Sequence, residues 1–416
     1  MAEERISLSQ PAADVFDSTL FLVTVLLISI GLISIYSATY ESHMSSFFYK
    51  QLAAAGLGFG AMLAITFLPE RWIAGNAFIL YGLSIAGLIL VQFIGVEVNG
   101  TKGWIRLGGM SVQPAELAKL GTLLAIARHL SHKGTDVRNI RDLSIVLAFA
   151  ALPIYLIIAQ PDYGSATVIM ALLLGILLWS GFDLFAIYFV VAIPLIMFMS
   201  LVGQIWQIVS VTLISGMSFF FRKKFAITLG AISIFISIGF IAPIIYDNLM
   251  EHQKSRIETF LDPGANPRGT GYNVLQSLLA VGSGGLTGKG FLQGTQTQLR
   301  YIPMQWTDFI FSVPTEEFGF VGGALVISLL TILIFRCIKI ASDSDDKFYS
   351  IVAIGAATIF MYHTIINVGM AIGLMPVMGI PLPFMSYGGT SLMVNMALVG
   401  LLLNAVRINR IRKRNL

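Results

Sequence analysis

The sequence predicts an all-α fold: a polytopic membrane bundle of about 10–12 spanning helices with one large outer loop. Three observations carry that prediction. Charged residues make up 12% of the 416-residue chain, about half the ~25% usual in soluble proteins. Hydrophobic residues reach 56% and mean hydropathy is +0.82, more apolar surface than a soluble fold of this size can cover. The apolar residues also fall in runs of bilayer-spanning length, roughly 20 residues. An outer-membrane barrel would show ~10-residue alternating segments instead.

Spans are expected at 19–40, 52–69, 74–96, 113–130, 142–159, 164–181, 184–203, 205–220, 225–246, 315–336, 349–373 and 391–406. Basic residues orient them, because Lys and Arg concentrate in cytoplasmic loops. Arg128, Lys133, Arg138 and Arg141 crowd one loop, and Arg222, Lys223 and Lys224 another. Arg407, Arg410, Arg412, Lys413 and Arg414 form the tail. Twelve spans place all three clusters, and both termini, on the cytoplasmic side. Orientation therefore accounts for the net charge of +4 before any anionic partner does, and a nucleic-acid partner is not expected.

The first apolar run is too long for a signal-peptide core and follows a polar, acid-containing start, so it is expected to stay as the first span. Cys337 is the only cysteine, which excludes an intrachain disulfide. Three segments fall outside: 97–112, 247–314 and 374–390. Without a convincing repeat or linker, 1–416 is expected to be a single membrane domain, with 247–314 as its large extracytoplasmic loop.

Ionisable groups in or beside spans are costly and face protein or water. In QPAELAKL, Glu116 and Lys119 are three apart and share a helical face. They could be a structural ion pair or could line a cavity, with Lys119 facing an anion. Asp162, in QPDYG, is either a turn residue or an acid at a cavity mouth. GSGGLTGKG resembles a phosphate loop superficially, but the required Gly and Ser/Thr positions hold Ser283 and Gly290. Its Lys289 and Gly-rich backbone could still approach an anion, or the loop could simply be re-entrant. Glu316 and Glu317 follow Pro314, where the first turn of a span favours acids. Asp308 precedes them in TDFIF, on the outer side. The five His residues show no ligand spacing beyond His129 and His132, which read as solvated.

NGTKGWIRLGG, QPAELAK, AQPDYGSA, DPGANPRGTGYNVLQS, VGSGGLTGKGFLQGTQTQL, TDFIFSV, EEFGFVGG and GIPLPFMSYGGTSL occur in this order along the chain. Together they resemble the SEDS family (shape, elongation, division and sporulation), and GIPLPFMSYGG is closer to its elongation branch than to its division branch. The resemblance implies a peptidoglycan glycosyltransferase of the bacterial inner membrane. It would polymerise lipid II on the outer face, beside a class B penicillin-binding protein that cross-links the strands. The resemblance puts the essential acid at Asp308, as general base, and points to Glu116, Lys119, Arg106, Asp162 and Lys50 as supporting residues. Lys50, Arg106, Lys119, Lys289 and Arg300 are candidates to meet the departing pyrophosphate, alone or with a divalent cation (Mg or Mn). A lipid II flippase or transporter and a scaffold for the cross-linking enzyme are the competing readings.

Three departures from the family pattern stand out. Trp306 replaces a His two residues before the acid, and Lys50 replaces the commoner Arg, losing a bidentate fork but keeping the charge. Residues 184–246 hold about three spans where the family has one, so 205–246 is expected to be an added helix pair.

Overall fold

A computed structural model describes residues 16–40, 45–98, 100–108, 110–248, 251–262, 264 and 271–414. The chain is a helical membrane bundle. Helices α1 (Ser18–Thr39), α2 (Ser45–Phe67) and α3 (Glu70–Ile94) lead into strands β1 (Val96–Val98), β2 (Thr101–Leu107) and β3 (Met110–Val112). Helices α4 (Pro114–Leu130), α5 (Ile140–Ile158), α6 (Tyr163–Trp179), α7 (Leu184–Val202), α8 (Gln204–Met217) and α9 (Phe225–Asp247) follow. The long segment between α9 and α14 holds α10 (Glu251–Leu261), α11 (Tyr272–Ser283), α12 (Thr295–Gln298) and α13 (Ser312–Glu317). The chain ends with α14 (Gly319–Asp343), α15 (Lys347–Ala371) and α16 (Gly389–Arg414).

Among the described residues, ten helices are long and apolar enough to cross a membrane, counting α8 with the 3-10 turn that extends it to Phe221. The other two expected spans, α4 and α6, also form helices, but each has 17 residues, about 25 Å of rise. The polar residues that interrupt the apolar runs start the helices. Asp17, Asn139, Asp162, Asp183 and Asp346 each accept a hydrogen bond from a backbone N–H in the first turn of the helix that follows, satisfying donors the helix leaves open. Pro114 opens α4, where its missing N–H costs nothing.

Several boundaries differ from expectation. The span expected at 315–336 starts at Gly319, because Phe318 separates the short α13 from α14. α16 continues through the basic tail to Arg414; Arg412 Nη2 holds the Glu70 carboxylate at 2.6 and 2.7 Å and Asp346 at 3.4 Å. The segment 97–112, expected outside, overlaps a small antiparallel sheet, in the order β1-β2-β3.

The main core joins α1, α2, α4, α6 and α14–α16, and the non-helical segment after α15 is folded into it: Ile380, Leu382, Phe384 and Met385 are all buried. The segment expected outside at 374–390 is thus partly packed within the bundle, where irregular backbone is tolerated because protein covers it. Gly31 of α1 makes room for this segment, since a Cβ there would lie 2.6 Å from the Phe384 carbonyl oxygen. Helices α7, α8 and α9 form a separate group around Phe185, Ala192, Ile196, Ile214, Ala231 and Phe235. At the turn between α8 and α9, Lys223 Nζ pairs with Asp183 at 2.6 Å.

Candidate functional site

A cavity of about 900 Å³ opens among α2, the β-strands, the start of α6, α10 and the segments around 306 and 380. Of the residues singled out in the sequence, Lys50, Arg106, Asp162 and Asp308 all line it. Lys50 lies in the first turns of α2 and Arg106 on β2, and both are exposed. The cavity thus gathers two cations and two acids from four separate parts of the chain.

Asp308 is held by its backbone. Three consecutive carbonyls accept hydrogen bonds: Trp306 from Tyr387 N at 2.8 Å, Thr307 from Ser386 Oγ at 2.7 Å, and Asp308 from Asn367 Nδ2 at 3.0 Å. The segment carrying the acid is therefore pinned to α15 and to the segment before α16. Burial pushes the Asp308 carboxyl up to about 6 from an ordinary 3.8, with a hydrogen bond from Thr307 opposing the rise. A carboxylate with that value is a stronger base than an ordinary Asp and is still mostly ionised at neutral pH.

Asp162 has a structural duty as well. Its Oδ1 accepts from Ser165 N at 3.0 Å as the α6 cap, and its Oδ2 accepts from Gln113 Nε2 at 3.0 Å. Glu116 and Lys119 are buried behind the cavity wall, paired at 2.8 Å. Lys119 Nζ also lies 3.3 Å from His363 Nε2, and the other ring nitrogen of His363 is 2.9 Å from the carbonyl of Pro381, a cavity residue. The pair reaches the cavity through an imidazole and a backbone carbonyl.

Lys289, Glu316 and Glu317 do not line the cavity. Glu316 sits at the end of α13, not in the first turn of a span, and its side chain is fully buried. One oxygen accepts from Lys289 Nζ and Gln296 N, both at 2.8 Å, and the other from Thr297 N and Oγ1 at 2.9 and 2.6 Å. Burial alone would raise its carboxyl, but these donors outweigh it and hold the carboxyl below its ordinary value. Glu317 accepts from Ser37 Oγ and from Gln298 Nε2 at 3.3 Å. The lysine's charge is already met, and both acids act as internal staples between α13, α12 and α1. The Gly-rich stretch has the same explanation: Lys289 N and Gly290 N donate to the Glu316 and Glu317 carbonyls, and a Cβ on Gly288 would overlap the Glu317 carbonyl. Arg300 is exposed and lies outside the cavity lining.

Sequence reasoning missed Gln51, His363 and Asn367. Asn367 Nδ2 also donates to the Ile380 carbonyl at 2.8 Å, and Gln51 bonds both the Ser386 carbonyl at 3.1 Å and Gly388 N at 3.0 Å. The available signal was polarity: His363 and Asn367 are four apart, on one face of a spanning helix, where buried polar groups require partners.

Known proteins share this architecture. The sequence matches the FtsW/RodA/SpoVE family of cell cycle proteins over residues 17–215 and 205–411. It is 32% identical to the peptidoglycan glycosyltransferase RodA of Treponema pallidum, over 94% of this chain and 97% of that one. Identity is 34% to stage V sporulation protein E of Bacillus subtilis (95% and 98%) and 31% to the peptidoglycan glycosyltransferase MrdB of Escherichia coli (93% and 92%). A chain of a solved peptidoglycan synthase complex aligns with a TM-score of 0.71 at 29% identity, covering 95% of this chain and 98% of that chain. The crystal structure of the rod shape determining protein RodA of Thermus thermophilus aligns with a TM-score of 0.62 at 26% identity, covering 94% and 97%. With its fold, its ordered motifs and near full-length similarity in agreement, the chain belongs to the FtsW/RodA/SpoVE family, the SEDS proteins.

Proposed function

We propose that this chain is a RodA-type peptidoglycan glycosyltransferase that polymerises lipid II on the outer face of the bacterial inner membrane. The observation that carries the reading is a half-buried, pinned carboxylate, Asp308, in a cavity that also holds Lys50 and Arg106. A sugar hydroxyl is a poor nucleophile, so glycan extension needs a base at the acceptor and positive charge at the leaving group. Asp308 takes the proton of the acceptor C4 hydroxyl as its oxygen bonds to the donor anomeric carbon. The bond from that carbon to the pyrophosphate oxygen breaks, and undecaprenyl pyrophosphate departs with the electron pair. Lys50 and Arg106 offset its charge.

Among the described residues no three His, Cys, Asp or Glu side chains are grouped to hold a metal. A divalent cation such as Mg or Mn would therefore use Asp308 or Asp162 together with pyrophosphate oxygens, a ligand set such ions accept. Bound there, it would supply further charge neutralisation at the leaving group.

The basic loops and tail favour cytoplasmic termini, which puts Asp308 outside. The solved synthase complex couples polymerization with crosslinking, and this supports a class B penicillin-binding protein as partner here. Purified protein given labelled lipid II tests the reading: glycan chains from the parent and none from a folded Asp308→Ala variant support it. Movement of lipid II between leaflets without polymer would favour the flippase instead.

A further inference from the structure

The position that departs from the family pattern, Trp306, belongs to an aromatic wall of the cavity. Its ring stacks on Phe47, with centroids 5.5 Å apart and planes at 21°, and Phe47 meets Tyr387 edge-on at 4.9 Å. All three rings line the cavity, and Trp306 is half-buried. The wall is also fixed in place, because the Trp306 carbonyl accepts the Tyr387 N–H at 2.8 Å.

The wall shares the cavity with the two charges that a glycosyl diphosphate needs. Asp308 is two residues beyond Trp306, and Lys50 is one helical turn beyond Phe47 on the same face of α2. A ligand that engages both the acid and the cation therefore has these rings beside it in the same cavity. In a lipid-linked saccharide, the part between a reacting hydroxyl and the diphosphate is the pyranose, not the prenyl tail. A pyranose presents a face of C–H bonds that packs well on an aromatic face. An imidazole at 306 would offer a smaller face that titrates near neutrality; an indole offers a larger face with constant charge.

We propose that Trp306, backed by Phe47 and Tyr387, is a saccharide-stacking platform that sets the affinity of this chain for the sugar portion of its lipid-linked substrate. The inference rests on the polymerase reading for its substrate class, but its test needs no turnover. Binding is measured in an Asp308→Asn background, with a short-prenyl lipid II as one probe and undecaprenyl pyrophosphate, which lacks sugars, as the other. Trp306→Ala is expected to weaken lipid II binding roughly tenfold and leave undecaprenyl pyrophosphate binding within about twofold. Trp306→Phe, with its thermal unfolding matched to the parent, is expected to keep lipid II affinity within about threefold. Unchanged lipid II affinity in Trp306→Ala overturns the proposal, and so does equal loss for both probes. If the parent chain, with Asp308 intact, binds lipid II but makes no polymer, the polymerase reading is defeated and this comparison stands.

Discussion

Helices α15 and α16 and the group α7–α9 are all apolar enough to span a membrane, yet they use that character differently. In the most apolar stretch of α15 and of α16, 61% and 78% of residues are buried inside the protein. In α7, α8 and α9 the shares are 22%, 17% and 28%. The first pair carries buried His363, Asn367, Asn395 and Asn404, which the interior tolerates where partners satisfy them. The second group presents mainly aliphatic and aromatic side chains outward, with Phe220, Phe225 and Phe240 well exposed. Hydropathy recognises both as spans. Polarity at helical spacing separates helices that build a site from helices that dissolve in lipid.

Four measurements would break or sharpen that contrast. Asp308→Asn is expected to lower lipid II polymerisation on the order of 10³-fold with unfolding unchanged; retained activity would remove the acid from the chemistry. Asn367→Leu should cost on the order of 30-fold, because it frees the Asp308 and Ile380 carbonyls that α15 now holds. A comparable change on α9, such as Ser237→Leu, should leave the polymer yield intact.

The pH dependence comes next. Asp308 must be ionised to accept a proton, and burial places its transition at about 6. The initial rate should therefore climb about tenfold between pH 5 and 7, half-complete near 6. A flat profile over that interval would mean an ordinary carboxylate. For stability the sign is opposite: the raised value favours the folded state in acid, and this contribution is lost as pH rises through 6. The smallest effect is a matched pair of glycines. Gly31→Ala must displace the Phe384–Met385 backbone, whereas a Cβ on Gly230 of α9 meets nothing within 4 Å. Thermal unfolding should fall by a few degrees for the first, about 1–3 kcal/mol, and stay level for the second.

Most helices were legible because a bilayer imposes length and composition on each span independently of its neighbours. All twelve expected spans are helical, and the errors lie at their ends. The Glu316 and Glu317 side chains illustrate what local pattern misses: their position after Pro314 suggests a helix start, but Phe318 breaks the chain and the acids instead tie down Lys289, α12 and α1. Such ties depend on residues up to 280 positions apart, as for Ser37 and Glu317, and no periodicity encodes them. The motifs located Asp308 and its cationic neighbours, while Gln51, His363 and Asn367 emerge only when α2 and α15 are placed around the segment they hold.

The three carbonyls at 306–308 have a consequence for biogenesis. Their donors, Asn367, Ser386 and Tyr387, are all translated after the acid they hold. As the chain enters the membrane in order, the Asp308 segment must wait for α15 and the following segment before it acquires its geometry. Insertion of the C-terminal helices is thus the step that sets the geometry of residues 306–308, and a chain stalled after α14 would be anchored in the membrane without any of these three donors.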